Sequence, residues 1–160
     1  MGVEMSQSPN RLVLATFVLA ACWNPNVSSS EGYTLEVAAV SEIVRLIVSN
    51  PSSIEAICIN LTKGMERDSA LPDLEADHGF RGVELLPPDG CEEVGGVLRK
   101  RGGDQAISVT ARAPEFDGAN RARVQVLTST GSRDLAAYGC TLRRSGSAWM
   151  VQQCELEAIT

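Results

Sequence analysis

Histidine, aromatic residues and closely spaced cysteines are all scarce in this chain. It holds one His, three Phe, two Trp and two Tyr among 160 residues, and no Cys-x-x-Cys pair. Each scarcity removes a class of function. Without Cys-x-x-Cys, neither a zinc ribbon nor a thioredoxin-type redox site has its ligands. So few aromatic rings cannot furnish a stacking platform for sugars. A Ser-His-Asp arrangement has only His78 to draw on, and no Gly-x-Ser-x-Gly elbow is present. The Gly95-Gly96 and Gly102-Gly103 pairs lack the phosphate-loop pattern and read as turns. Basic excess is missing too. A net charge of −6 opposes nucleic-acid binding, which runs on neutralising phosphates. The runs Arg99-Lys100-Arg101 and Arg143-Arg144 therefore read as solvated strand ends.

What the chain does have is an apolar stretch near its start. Residues 12–22 read LVLATFVLAAC, behind a single Arg11. A positive flank, an apolar core and a small-residue processing site are the parts of an export signal. The stretch is about half the roughly 20 residues a spanning helix needs. A buried helix of the mature fold would have no reason to end in Ala-Ala-Cys. Plain secretion, with cleavage after Ala21, is the rival reading, but Leu19 is large where that cleavage prefers a small residue. A start at Met5 would remove Glu4 and leave the same signal.

Leu19-Ala20-Ala21-Cys22 resembles a bacterial lipobox: an aliphatic residue, two small ones, then the cysteine that is lipidated and becomes the mature N-terminus. The resemblance implies a signal peptide over residues 1–21, an acylated Cys22 (palmitate-type chains), and a lipoprotein held at the membrane of the cell envelope, outside the cytoplasm. One acyl chain binds a bilayer marginally, and two or more hold firmly. Residues 22–32 then form the lipidated tether. Trp23 fits either a ring at headgroup level or an ordinary linker residue.

The five cysteines agree with export. Reserving Cys22 for lipid leaves Cys58, Cys91, Cys140 and Cys154, an even number in an oxidising compartment. Four cysteines allow three pairings. Chain order favours Cys58 with Cys91 and Cys140 with Cys154.

Residues 33–160 are enough for one domain with a real core. Over residues 34–49, Val37, Val40, Val44 and Ile47 recur at helical spacing, and Leu35, Ile43 and Val48 widen the stripe. Thr34 serves as N-cap, Glu36 falls in the first turn, and Asn50-Pro51 stops the helix. Residues 54–61 read as a buried strand or a helix-to-sheet connection holding Cys58. Residues 69–77 allow one or two helical turns. Residues 78–96 read as loop, with a brief edge strand at Val83 and Leu85. Four alternating segments follow at 106–113, 121–129, 135–144 and 148–159, separated by turns. The last two join through a loop of four or five residues. Trp149 and Val151 share one parity while Cys154 has the other; a bulge near Gln152-Gln153 would bring all three to one face.

The expected fold class is α+β: one long N-terminal helix packed on a curved antiparallel sheet, a C-terminal meander of about four strands. Tyr138-Gly139-Cys140-Thr141-Leu142, the Ser-Gly-Ser turn, Trp149-Met150-Val151 and Cys154 resemble the closing hairpin of small exported bacterial domains with cystatin-like or nuclear-transport-factor-like folds. That resemblance carries no functional residues.

Candidate chemistry is thin. His78 would need partners from elsewhere, and Asp73, Glu75 and Asp77 beside it match neither a metalloprotease helix nor a calcium loop. Glu92-Glu93 and Glu155 with Glu157 read as solvated positions, not a glycosidase pair. Trp149 reads as a residue of the sheet–helix core. The expectation is a non-catalytic binding module with no cofactor, no metal and no nucleic-acid partner. It would be held to the membrane through Cys22 and bind an unknown protein or small molecule in an apolar pocket on the concave face. The alternatives are an envelope assembly protein using its outer sheet face or edge strand and, further off, a hydrolase built on His78.

Overall fold

The computed structural model describes residues 29–49, 54–61, Leu74 and 82–160. The signal, Cys22, His78 and most of the expected short helix at 69–77 lie outside the described residues. Leu74 is helical and fully buried in the core.

Helix α1 spans Ser29–Ser49. Leu35, Ala39, Val40, Ile43 and Val44 are buried along one face at three- and four-residue spacing, which is what an amphipathic helix on a sheet requires. It begins five residues before the expected Thr34 cap, so residues 29–32 belong to the helix rather than to the tether. Glu31 occupies the first turn, where the helix dipole favours an acid. Thr34 is interior, and its hydroxyl donates to the Ser30 carbonyl at 3.0 Å. Glu36 is consequently not a first-turn residue; it is fully buried.

The strands are β1 Ala56–Asn60, β2 Glu84–Leu86, β3 Cys91–Val94, β4 Val97–Lys100, β5 Ala106–Ala111, β6 Glu115–Phe116, β7 Arg121–Gly131, β8 Asp134–Ser145 and β9 Ala148–Ile159. Seven of them form one sheet in the order β2-β1-β5-β7-β8-β9, with β6 beside β7. The architecture is α+β. The antiparallel meander β5-β7-β8-β9 is only part of it, which corrects the expectation of a four-strand sheet. Strand β1 runs parallel to both β2 and β5. Parallel neighbours need crossover connections, and Leu74 lies in the one between β1 and β2. Four consecutive residues of β1, Ala56 to Ile59, are buried, as in a strand covered on both sides.

Residues 91–94 are strand, not loop. Strands β3 and β4 pair as a separate hairpin, with Gly95 and Gly96 at φ of 63° and 84° in its two-residue turn. A disulfide from Cys58 on β1 to Cys91 fastens this hairpin to the main sheet (Cα–Cα 6.3 Å). The turn lies so close to β7 that a methyl group on Gly131 would sit on the Gly96 carbonyl.

Strand β9 carries two irregularities. Thr141 pairs with Gln153 while Leu142 pairs with Val151, so Gln152 is an extra residue; Glu157 is skipped in the same way between Leu156 and Ala158. The Gln152 bulge places Trp149, Val151 and Cys154 together against the core. Cys140 and Cys154 are direct partners, disulfide-bonded with a Cα–Cα distance of 4.1 Å, the separation of a narrow antiparallel pair. Ser145 pairs with Ala148, so the closing loop is Gly146-Ser147, two residues rather than four or five.

Deleting Gln152 removes the bulge and turns Cys154 to the opposite face. We expect that deletion to leave two thiols that react with a maleimide in non-reducing denaturant, against none from Cys140 and Cys154 in the wild type.

Candidate functional site

On the inner sheet face Ala122, Val124, Val126, Cys140 and Leu142 meet Leu35, Val40, Ile43 and Val44 of α1 in one continuous core. Glu92 and Glu93 lie on β3 while Glu155 and Glu157 lie on β9, and those strands do not pair. Among the described residues no group of His, Cys, Asp and Glu side chains could hold a metal ion, and no helix is long and apolar enough to cross a membrane.

The open space lies on the outer face. Because residues 122, 124, 126 and 128 of β7 point inward, Arg121, Arg123 and Gln125 point outward. Arg121 is paired with Arg143 on β8, and Arg123 with Thr141, which in turn pairs with Gln153. The Gln152 bulge adds a second amide beside Gln153. With Asp117, Ala119 and Asn120 from the turn before β7, these residues line a groove of about 600 Å³. Smaller lobes of about 260 and 270 Å³ continue it past β6, lined among others by Glu115 and Arg123, with Arg112 at the far end.

Its charges divide into a matched and an unmatched set. Glu157 forms an ion pair with Arg123 and accepts a 3.0 Å hydrogen bond from Gln125 Nε2. It reaches them across β8 over Gly139, where any Cβ would collide with the carboxylate. Among the described residues Arg121 is ion-paired only with Asp117, at 3.9 Å and well exposed on both sides. Arg143 has no ion pair among the described residues. Two guanidinium groups therefore stand on directly opposed positions with a single weak counter-charge, an arrangement that costs stability when nothing lies between them.

On the opposite, inner face of the sheet the closing hairpin meets the start of α1. Trp149 Nε1 donates to Glu31 Oε1 at 3.0 Å, and Arg144 approaches the same oxygen at 3.4 Å. Phe116 meets the Trp149 ring edge-on, with centroids 5.9 Å apart, and Arg144 lies 6.0 Å from that ring. Trp149 thus joins helix to sheet, as its sequence position suggests. The Arg144 backbone N–H also donates to the Asn120 carbonyl at 2.9 Å, which ties this knot to the groove wall.

No family model, no curated protein and no solved structure matches the chain. The chemistry must be read from the residues. The groove supplies guanidinium, amide and hydroxyl donors. Sequence reasoning placed Arg143 at a solvated strand end and missed the groove; the alternation Arg121, Arg123, Gln125 was the available signal.

A second polar cluster gathers Glu55, Glu84, Lys100 and Asp104 where β1, β2 and β4 converge. Lys100 is paired with Glu84. A hydrogen bond shared with Asp104, then repulsion from that carboxylate and a small desolvation, raise the Glu55 carboxyl above its ordinary value, against the pull of Lys100. The folded state therefore holds this proton to higher pH than the unfolded chain. Its contribution is favourable below the unfolded value and is lost as pH rises through the folded one.

Two outcomes follow from these contacts. Thermal melts across pH 3–8 should show Glu55→Gln melting above the wild type at neutral pH, with the gap closing as pH falls through the carboxylate range. Gly139→Ala should displace the Glu157 carboxylate and free Arg123. Its stability change should stay within about 1 kcal/mol in urea titration, because the lost exposed ion pair is offset by replacing a glycine in a strand.

Proposed function

We propose that this chain is an exported lipoprotein of the cell envelope, anchored through Cys22, whose α+β domain acts by binding at the outer-face groove rather than by catalysis. One observation supports it above the others. Cys58, Cys91, Cys140 and Cys154 are used up in two disulfides, which leaves Cys22, at the end of the apolar run, as the odd cysteine. Disulfides of this kind persist in oxidising compartments, and a lipobox cysteine takes no part in them. The binding reading is supported by the groove itself: a concave site with convergent polar groups.

Assembly through the free edge of β9 is the second reading. It is favoured by the exposure of Met150, Leu156 and Ile159 on that strand. The two bulges and Glu155 work against it, since kinks and charges at an edge discourage strand addition.

Intact-mass analysis of protein from the membrane fraction tests the anchor. The expected mass is that of a chain starting at Cys22, plus its acyl groups, less four hydrogen atoms for the two disulfides. Cys22→Ser should abolish acylation. Protein found in the cytosol with residues 1–21 attached, or with free thiols at the four paired positions, overturns the proposal.

A further inference from the structure

We infer that the opposed pair Arg121 and Arg143 forms an anion site for the phosphate group of the ligand that occupies the groove. This rests on the groove being the binding surface, and it names the ligand chemistry. On the same sheet face Arg123 is neutralised by Glu157, and on the inner face the next residue of β8, Arg144, is neutralised by Glu31. Arg121 and Arg143 are not matched in this way, although they are register partners. The chain as a whole carries a net charge of −6, so a positive spot here is a local arrangement and not overflow from a basic surface.

The lining decides between anions. A carboxylate is satisfied by one guanidinium fork. Two forks on opposed strands bracket an anion with more oxygens, which is the geometry a phosphate offers. Thr141, Gln152, Gln153 and Asn120 surround the pair with neutral hydroxyl and amide groups, and Asp117, exposed and 3.9 Å from Arg121, is the acid in this lining. These suit the hydroxyl-bearing remainder of a phosphorylated glycerol or sugar. The bulge matters here as well, because without it only one of the two glutamines would reach this face.

Phosphate of this kind comes from two sources, a membrane headgroup or a free phosphorylated solute. The headgroup has a geometric argument. Six residues separate Cys22 from the first residue of α1, a reach of at most about 25 Å when extended. The start of α1 is bonded to Arg144, which follows Arg143 on β8 at the same end of the sheet although its side chain lies on the inner face. A lipid on Cys22 keeps this end of the domain near the bilayer surface.

Amide NMR spectra of the full chain in neutral detergent provide the test. One arm adds inorganic phosphate, and the other adds phosphatidylglycerol to the micelle. Saturable shifts confined to residues 119–121, 141–143 and 152–153 are expected in at least one arm, weakened about tenfold or more in Arg143→Gln. Arg133→Gln, at the β7–β8 turn and outside the groove, should leave the binding curve unchanged. Response to phosphate identifies a free solute as sufficient; response to the lipid alone identifies the headgroup. Absence of shifts in both arms, or equal weakening by Arg133→Gln, overturns the inference. Loss of anion binding would leave the mass and location of the anchored protein untouched, so the two proposals fail separately.

Discussion

A single extra residue in β9 sets the arrangement of the whole C-terminal half. Side chains alternate along a strand, so one inserted residue exchanges the two faces for everything beyond it. Before Gln152, Trp149 and Val151 face the helix; after it, Cys154 does. The disulfide to Cys140 and the apolar contacts of Trp149 could not both be made from a regular strand. The same insertion turns two consecutive amides outward beside Arg121 and Arg143. Core and groove thus depend on one irregularity, each on its own side of the sheet.

Glu31 extends that dependence to the helix. Its carboxylate receives the Trp149 indole and the Arg144 guanidinium, so the first turn of α1 is fixed to the closing hairpin by groups 118 and 113 positions away in sequence. Hydrogen bonds to a charged group contribute about 1.5–3 kcal/mol, more than a neutral pair. The hairpin holds the helix start, and the turn at Asn120 is held in turn by Arg144. The helix start, hairpin and groove wall are one mechanical unit.

Legibility in the sequence followed the range of the interaction. The four meander strands, the cysteine partners and the bulge all left local marks: period-two alternation, turn residues, and a parity conflict between Val151 and Cys154. The parallel pairing of β1 with β5 left none. A buried run such as Ala56–Asn60 states that it is covered, but not which strand lies beside it. Its neighbours, β2 and β5, come from residues 84–86 and 106–111. Thr34 was read as a cap because it precedes the apolar stripe, yet the helix starts where Glu31 finds its distant partners. Glu36 was placed in the first turn for the same reason and is instead buried. The groove escaped because Arg143 sits among charges at the end of a strand. Only the register shows that it faces Arg121.

The two disulfides act at different scales, and the difference bears on how the domain tolerates its surroundings. Cys140–Cys154 closes a short hairpin already joined by a backbone ladder that is interrupted at the Gln152 bulge, so it reinforces a local structure. Cys58–Cys91 spans 33 positions and binds a small hairpin to a strand it does not pair with. On chain-entropy grounds a loop of that length contributes about 3–4 kcal/mol, a sizeable fraction of an ordinary domain's total. Among the described residues its other ties include the bridge from Arg99 to Gln105, the Lys100 N–H donating to the Asp104 carbonyl, the Lys100–Glu84 pair and the approach of Gly96 to Gly131. Glu55 and Asp104 repel each other beside it. A hairpin held this way keeps its place where disulfides are stable and loosens where they are reduced. The compartment read from the apolar N-terminal run is therefore the one in which this part of the fold is most secure.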